Sequence, residues 1–260
     1  MAGQDLGEPL LRCTDVRVTF GGIVALDSVS LSVKPRQILG IIGPNGAGKT
    51  TLFNCISRLY SVTSGDISFG GRSLGNVPRH QIAALGIART FQNVALFESM
   101  SLRENVLVGT HPLRAGGFFS DGIRTTPERE NEEAAARADD LIDLLGLNAD
   151  RDKRVSSLPF GTRKRAELAR ALVSRPKLLM LDEPAGGLSH GDVDELRWLI
   201  SSLRDQFDLT VLLVEHHMQF VMKLCDSIVA LDFGKRIAEG TPAEVQSHPE
   251  VIRAYLGGAS

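Results

Sequence analysis

The sequence predicts an α/β fold with a mostly parallel core sheet, an N-terminal antiparallel β subdomain and an inserted helical subdomain. Short apolar runs alternate with helical patterns in the last third of the chain, which is typical of a parallel sheet covered by helices. The first third instead holds adjacent apolar runs joined by turn residues, and the middle is helical in pattern. The 260 residues are 43% hydrophobic, which is enough to bury a substantial core.

The first two predicted strands, Leu11–Phe20 and Ile23–Val33, are joined through Gly21-Gly22 and should pair in antiparallel fashion. A buried strand at 37–42 leads into a Gly-rich stretch that opens a helix near Lys49. The remaining strands are predicted at 66–69, 87–90, 178–181, 210–214 and 227–231.

Helix signals begin at Ser101, a predicted N-cap with Glu104 as its capping-box partner. Thr126-Pro127 is predicted to open a second helix, which Gly146 closes. Its apolar positions recur at helical spacing and are Ala134, Ala138, Leu141, Ile142 and Leu145. We therefore predict a single domain, with 1–92 and 158–260 as its α/β core and 93–157 as the inserted helical subdomain. In the core, helices are predicted over about 161–173 and after an N-cap at Ser189.

Composition excludes several classes of protein. The formal net charge is -2, so nothing indicates a basic face for nucleic acid. The three cysteines lie far apart without a CxxC pair, which is typical of reduced thiols. No basic segment followed by an apolar stretch opens the chain, so no signal peptide is expected. Apolar runs fall short of the ~18 residues of a membrane helix, so any membrane role is predicted to come through partners.

Residues 43–50 read GPNGAGKT and match G-x-x-x-x-G-K-[ST], directly after a predicted strand and at the start of a helix. Glycines let backbone N–H groups converge on a polyphosphate, and the helix N-terminus adds favourable partial charge. We expect Lys49 to contact the β- and γ-phosphates and the Thr50 hydroxyl to bind Mg²⁺. The alternative is a Gly-rich turn that binds nothing. The candidate nucleotide-binding residues here are Gly43, Pro44, Asn45, Gly46, Ala47, Gly48, Lys49, Thr50 and Thr51.

Residues 178–184 read LLMLDEP and place Asp182 and Glu183 at the end of a buried strand. Ligands of open α/β sheets bind at the carboxyl ends of strands. We predict that Asp182 binds Mg²⁺ and that Glu183 polarises the attacking water, because phosphoryl transfer depends on positioning and charge neutralisation. The alternative is a strand that ends in solvated acids.

These motifs, in this order and over nearly the whole chain, resemble the ATP-binding cassette (ABC) family of P-loop NTPases. More narrowly, the chain resembles the ATPase subunit of branched-chain amino-acid importers. The resemblance implies an ATPase that uses ATP and Mg²⁺. It implies that Phe20 stacks on adenine, that Gln92 contacts Mg²⁺ and the water, and that His216 donates to the γ-phosphate. The alternatives are a core aromatic, an exposed glutamine and an incidental histidine.

Residues 158–162 read LPFGT and stand where the family carries its LSGGQ loop, which caps the γ-phosphate of the other subunit's nucleotide. Gly161 and the helix after it match that loop. Pro159 and Thr162 depart from it, and Pro159 lacks both a hydroxyl and a backbone N–H. At the family's D-loop, Ser189 replaces the usual Asp. The tail at 251–257, VIRAYLG, also resembles the importer subunits. The alternatives are a helix-entry turn at 158–162 and an ordinary amphipathic helix that covers the core at the tail.

The resemblance implies a dimeric motor at the cytoplasmic face of the membrane, attached through permease subunits. One subunit would bind ATP through Phe20, Lys49 and Asp182, and the Gly161 side of another would complete the site. The second ATPase subunit is either the same chain or a related one. An extracytoplasmic binding protein would take part indirectly, and 93–103 are expected to contact the permease.

Other functions stay open at this stage. Within transport they are the ATPase of a urea or amide importer and of a lipopolysaccharide-type exporter. A soluble ABC ATPase of repair or translation is disfavoured by the single uninterrupted cassette, and a GTP switch by the lack of [NT]KxD. The sequence leaves the transported substrate, and import versus export, undetermined.

Overall fold

A computed structural model of the chain describes residues 8–92, 94–111 and 127–256. Contacts between these residues divide the chain into two compact units. The first lies within Met1–Arg79 and Met180–Ser260, and the second lies within His80–Leu179. The predicted helical subdomain at 93–157 stays a prediction; the second unit contains its described residues and extends beyond it at both ends.

The strands, numbered along the chain, are β1 Leu11–Phe20, β2 Ile23–Val33, β3 Ile38–Ile42, β4 Ser64–Phe69, β5 Arg72–Ser73, β6 Ile87–Arg89, β7 Leu178–Asp182, β8 Thr210–Val214, β9 Ser227–Asp232 and β10 Lys235–Gly240. The described α-helices are α1 Lys49–Ile56, α2 Leu102–Val108, α3 Pro127–Leu144, α4 Phe160–Leu172, α5 His190–Phe207, α6 Met218–Leu224, α7 Pro242–Gln246 and α8 Pro249–Leu256. Short 3-10 turns cover Arg79–Gln81, Ala83–Leu85, Asn148–Asp150 and Val155–Ser157. No helix in the described ranges is both long and apolar enough to cross a membrane.

The first unit contains an antiparallel sheet with strand order β2-β1-β4-β5. Leu11 pairs with Val33 and Phe20 with Ile23, so β1 and β2 form the hairpin that the sequence predicted. The burial of β1 alternates along the strand, with Leu11 and Val16 fully buried. This alternation is typical of a sheet with one face on the core and the other toward solvent.

The larger sheet of the first unit has neighbouring strands in the order β10-β9-β3-β8-β7. Strand β3 is parallel to both β8 and β9. Every residue of β3, β7 and β8 is buried, as expected for strands covered on both faces. The Glu183 N–H donates to the Val214 carbonyl at 2.9 Å, so β7 and β8 end side by side. The carboxyl ends of the central strands therefore meet at one edge.

The second unit packs α2, α3 and α4 around a small apolar core. Ser101 caps α2 with a complete capping box to Glu104, as predicted. Asp139 on α3 pairs with Arg103 at 2.7 Å and with Arg151 at 2.6 Å, which joins α3 to α2 and to the turn after α3. The helical positions predicted to face the core are all buried, namely Ala134, Ala138, Leu141, Ile142 and Leu145.

Predicted and observed boundaries agree closely, but three elements near the C-terminal end were not predicted. Strand β10 and helices α6 and α7 are short, so their patterns contain too few residues to show a period. They follow from tertiary context, since β10 is an edge strand paired with β9 and α7 packs against both strands.

Candidate nucleotide-binding site

The Gly-rich loop connects β3 to α1 at the carboxyl end of the sheet. A Cβ at Gly43 would lie 2.2 Å from the Leu231 carbonyl oxygen, so no side chain fits there. Gly48, the residue before α1, has φ +97°, a left-handed conformation that favours glycine. Two glycines of the motif are therefore required by the loop's own packing and conformation.

Lys49 is buried, with 7% of its surface exposed. Its Nζ donates to the carbonyl oxygens of Gly43 at 2.7 Å and Pro44 at 2.9 Å. The ammonium is therefore held against the loop by the loop's own backbone. A positive charge is thus fixed beside the backbone that a polyphosphate would approach.

The loop is anchored on one side and open on the other. Ala47 is buried, and its carbonyl oxygen accepts a hydrogen bond from the Gly234 N–H at 3.1 Å. Asn45, Gly46 and Thr50 are exposed, and Thr51 is half-buried. Thr50 and Thr51 belong to the first turn of α1, where backbone N–H groups lack partners within the helix. The exposed side of the loop can therefore receive an anion.

The acidic pair lies within electrostatic reach of this lysine. Asp182, the last residue of β7, is 4% exposed, and Glu183 follows it with φ +48°. Burial lowers the pKa of Lys49, while the negative charges of Glu183 and then Asp182 act in the opposite direction. The structure therefore brings Lys49, Asp182 and Glu183 together at the edge predicted from the sequence.

His216 lies beside Glu183. Its side chain is exposed, and its Nδ1 lies 3.7 Å from Glu183 Oε2. The next residue, His217, caps α6 because its Nδ1 accepts a hydrogen bond from the Phe220 N–H at 3.3 Å. The two adjacent histidines thus differ, because His216 lies beside Glu183 while His217 caps a helix.

The carboxylate of Glu215 is fully buried directly before these histidines. Its Oε1 accepts from the Ala185 N–H at 2.8 Å, and its Oε2 accepts from the backbone N–H groups of His216 at 2.9 Å and His217 at 3.0 Å. It therefore joins the segment after the acidic pair to the segment that carries His216.

Phe20 lies at the end of β1, and the residue is 43% exposed. The Tyr60 ring packs edge-on against it, with centroids 5.2 Å apart. The Tyr60 N–H donates to the Asn54 carbonyl of α1 at 3.1 Å, so Tyr60 follows the helix that the Gly-rich loop opens. The exposed Phe20 ring therefore packs against a residue that is hydrogen-bonded to α1.

The C-terminal helix α8 contacts the Gly-rich loop through Tyr255. The Tyr255 hydroxyl oxygen accepts a hydrogen bond from the Gly43 N–H at 2.9 Å. Burial raises the pKa of this phenol, although the same hydrogen bond opposes the shift. A residue 212 positions away along the chain thus holds the first glycine of the loop.

Gln92 and Gly161 lie in the second unit. Gln92 is exposed and follows Phe91, whose N–H donates to Glu167 Oε1 at 3.2 Å; the Ala95 N–H donates to the same oxygen at 3.4 Å. Gly161 is in the first turn of α4, after Pro159 at the N-cap. The predicted roles of Gln92 and Gly161 stay predictions.

At the D-loop, Ser189 caps α5. Its Oγ accepts from the Asp192 N–H and donates to the Asp192 carboxylate at 2.7 Å, within a complete capping box. The cap predicted at Ser189 is confirmed, and the side chain that replaces the family's Asp is engaged in starting a helix.

Sequence reasoning missed four residues of these networks: Tyr60, Glu167, Glu215 and Tyr255. An acidic residue directly after the apolar strand 210–214 is a signal that points to Glu215, because a buried carboxylate needs specific partners. No local pattern indicates the other three, whose partners are distant in sequence.

The family model described as ABC transporter matches residues 26–186. The chain belongs to the ABC transporter family. A second model, described as Branched-chain amino acid ATP-binding cassette transporter, matches residues 235–260 of this ABC chain. The resemblance predicted from the phosphate loop, the acidic pair and the tail is therefore confirmed.

Relatives match the ABC chain over nearly its full length. It is 43% identical over 256 residues to the high-affinity branched-chain amino acid transport ATP-binding protein LivG of Salmonella typhimurium, covering 98% of this chain and 100% of the relative. It is 40% identical over 255 residues to BraF of Pseudomonas aeruginosa, a protein with the same description, at the same coverage. A solved ATP-binding cassette of an ABC transporter in its ADP conformation superposes with a TM-score of 0.84 at 30% identity, covering 96% of this chain and 100% of that one. These likenesses confirm the predicted fold class.

Proposed function

We propose that this chain is the ATP-hydrolysing subunit of an ABC importer for branched-chain amino acids. The observation that carries the proposal is the juxtaposition of a buried Lys49, on an anion-receiving loop, with Asp182 and Glu183 at the same sheet edge. The full-length similarity to LivG and BraF, and the match of 235–260 to a branched-chain transporter model, support this substrate class over urea, amides or lipopolysaccharide.

The proposed roles in nucleotide binding follow from the loop. Backbone N–H groups of 43–51 would surround the phosphates of ATP, and Lys49 would move from the Gly43 and Pro44 carbonyls to the β- and γ-phosphates. The exposed ring of Phe20 offers a π-face for adenine, and Tyr60 supports that ring.

The donor set at the site suits Mg²⁺. The proposed ligands are the Thr50 hydroxyl, the Gln92 amide oxygen and the Asp182 carboxylate, all oxygen donors of the kind that Mg²⁺ prefers. Because Mg²⁺ is bound through one or two carboxylates together with substrate phosphates, a single buried aspartate is sufficient. No group of three or more His, Cys, Asp or Glu residues that could hold a metal occurs in the described part of the chain. When bound, the ion would neutralise charge on the phosphates.

The residues that would carry out hydrolysis lie at the same carboxyl edge of the sheet. Glu183 would orient and polarise the attacking water, and His216, 3.7 Å from Glu183, would donate to the γ-phosphate. Gln92 would also contact the water, as the family resemblance implies. Glu183 has the unusual φ of +48°, and such conformations persist where the surrounding structure holds them in place.

The working assembly would be a dimer bound to permease subunits at the cytoplasmic face of the membrane. Gly161 and the start of α4 would complete the partner's site, and a second ATPase of the same or a related sequence would supply the other half. An extracytoplasmic binding protein would deliver the substrate to the permease. This arrangement explains how a chain without a described membrane-spanning helix could energise transport.

The test is reconstitution of the chain with candidate permease subunits and the binding protein in vesicles. We expect MgATP hydrolysis that the assembly stimulates, and uptake of leucine, isoleucine or valine in preference to urea. Glu183→Gln should bind ATP, lower kcat by about 100- to 10,000-fold, and accumulate as a dimer. Glu195→Gln, an exposed glutamate on α5, is the matched control and should retain the wild-type kcat. Urea uptake without leucine uptake would refute the substrate class, and an unchanged kcat in Glu183→Gln would remove that residue from its role.

A further inference from the structure

Glu215 is a fully buried carboxylate placed at the end of β8, one residue before His216. A buried carboxylate is costly unless hydrogen bonds satisfy it. Both of its oxygens accept hydrogen bonds from backbone N–H groups, those of Ala185, His216 and His217. These bonds measure 2.8 to 3.0 Å, which is within the normal range for N–H···O hydrogen bonds.

The donors belong to the two segments that carry the proposed chemistry. Ala185 follows Glu183 by two residues, and the other donors are His216 and the residue after it. Oε1 bonds to the segment after Glu183, and Oε2 bonds to the segment that carries His216. One side chain therefore joins the two segments by hydrogen bonds to both.

The segment after β7 needs such a constraint. Glu183 adopts φ +48°, which is costly for a residue with a side chain. Its N–H donates to Val214 at 2.9 Å, and its carbonyl accepts from Gly186 at 3.1 Å. The bond from Ala185 to Glu215 is a second attachment of this segment to the end of β8, after the bond from Glu183 to Val214. A change of a few tenths of an ångström here would alter the 3.7 Å separation of Glu183 and His216.

We propose that Glu215 is a positioning residue that locks Glu183 and His216 into the relative geometry needed for hydrolysis. The inference rests on the proposed function, because it assigns Glu215 an effect on the chemical step that those two residues would perform. The hydrogen-bond donors to the Glu215 carboxylate, Ala185, His216 and His217, all lie outside 43–51, so nucleotide binding should depend on it little.

The decisive variant is Glu215→Gln, which keeps the size of the side chain but replaces one acceptor oxygen with an NH₂ donor. That group must face either the Ala185 N–H or the paired N–H groups of the histidines, so one of the two segments is released. Misplacement of reacting groups by about 1 Å costs on the order of 100-fold in rate, so we expect kcat to fall by about 10- to 100-fold. The KM for ATP should stay within about threefold.

Thr210→Val is the matched control on the same strand. Thr210 is 1% exposed at the start of β8, and its Oγ1 accepts from the Arg36 N–H at 2.9 Å. The substitution also removes a buried acceptor for a backbone amide, but at the opposite end of β8 from His216. We expect it to lower thermal stability while leaving kcat and KM unchanged.

Both variants are measured with the reconstituted assembly, well below the unfolding temperature of each protein. A selective loss of kcat in Glu215→Gln, absent from Thr210→Val, is the expected result. An unchanged kcat, or equal losses in both variants, would overturn the inference while wild-type hydrolysis still supports the proposed function. An inactive wild type would overturn both. If Glu215→Gln does not fold, Glu215→Asp replaces it; the shorter carboxylate can hold only one segment, and an unchanged kcat would again refute the role.

Discussion

Replacing Glu167 with alanine should destabilise the chain because this buried carboxylate organises the segment around Gln92. Glu167 is 2% exposed, and its Oε1 accepts from the N–H groups of Phe91 at 3.2 Å and Ala95 at 3.4 Å. A further partner is Arg170, at 3.7 Å, which also donates to the Ala95 carbonyl at 2.5 Å. The alanine variant would leave two amides without their acceptor and a largely buried guanidinium without its carboxylate partner.

The magnitude follows from these contacts. Each amide bond is long, so each unpaired N–H should cost about 1 kcal/mol, at the lower end of the usual range. Loss of the partner of Arg170 adds about 1–2 kcal/mol, less than for a fully buried pair because the separation is 3.7 Å. Glu167→Ala should therefore lower the free energy of unfolding by about 3–4 kcal/mol, or the Tm by about 6–16 °C for a domain of this size.

Glu167→Gln separates the hydrogen bonds from the charge. Both amides bond to the same oxygen, so a glutamine can retain them, and we expect a stability within about 1 kcal/mol of wild type at neutral pH. Burial raises the pKa of Glu167 above its usual value, although the two amides and the charges of Arg170 and Lys164 act against this shift. Glu167 therefore adds to the free energy of unfolding at pH values below its pKa in the unfolded chain. This contribution is lost as the pH rises through its pKa in the folded protein.

Unfolding is followed by calorimetry and by urea titration at several pH values between 4 and 7. The stability of Glu167→Gln relative to wild type should increase as the pH rises across that range. Wild-type stability in the alanine variant would refute the assigned hydrogen bonds. A glutamine variant whose relative stability does not change with pH would refute the effect of burial on the carboxylate.

Three further predictions test other parts of the chain. Lys49→Ala should weaken ATP binding by about 10- to 150-fold, the equivalent of one charge-assisted contact, and equal affinities in a titration would contradict this role. Tyr255→Phe leaves the Gly43 N–H without its acceptor, so we expect about 2- to 10-fold weaker ATP binding, and unchanged affinity would show that the loop does not depend on α8. Burial raises the pKa of Cys13 to about 12 and that of Cys55 to about 11, so neither thiol should react with iodoacetamide at pH 8 until the protein is unfolded; rapid labelling of both in the native protein would contradict their burial.

Local chemistry made much of the fold predictable. The Ser101 and Ser189 caps depend on residues three positions away, and the core face of α3 depends on a period of 3.6 residues. The Gly-rich loop is also local, because its conformation, the Lys49 position and the start of α1 all lie within a few residues. The short elements β10, α6 and α7 lacked such a signal and formed where neighbouring strands and helices gave them a surface to pack on.

By itself the sequence determined the family, the parallel core, the hairpin of β1 and β2, and the two ends of the site, Lys49 and Asp182. Each is encoded in a contiguous run of residues with its own conformational or chemical requirement. Only the tertiary structure decided that Tyr255 would hold Gly43, and that Glu215 would join Ala185 to His216. These pairings depend on which strand ends meet at one edge of the sheet and on where the last helix packs, and no spacing along the chain records either one.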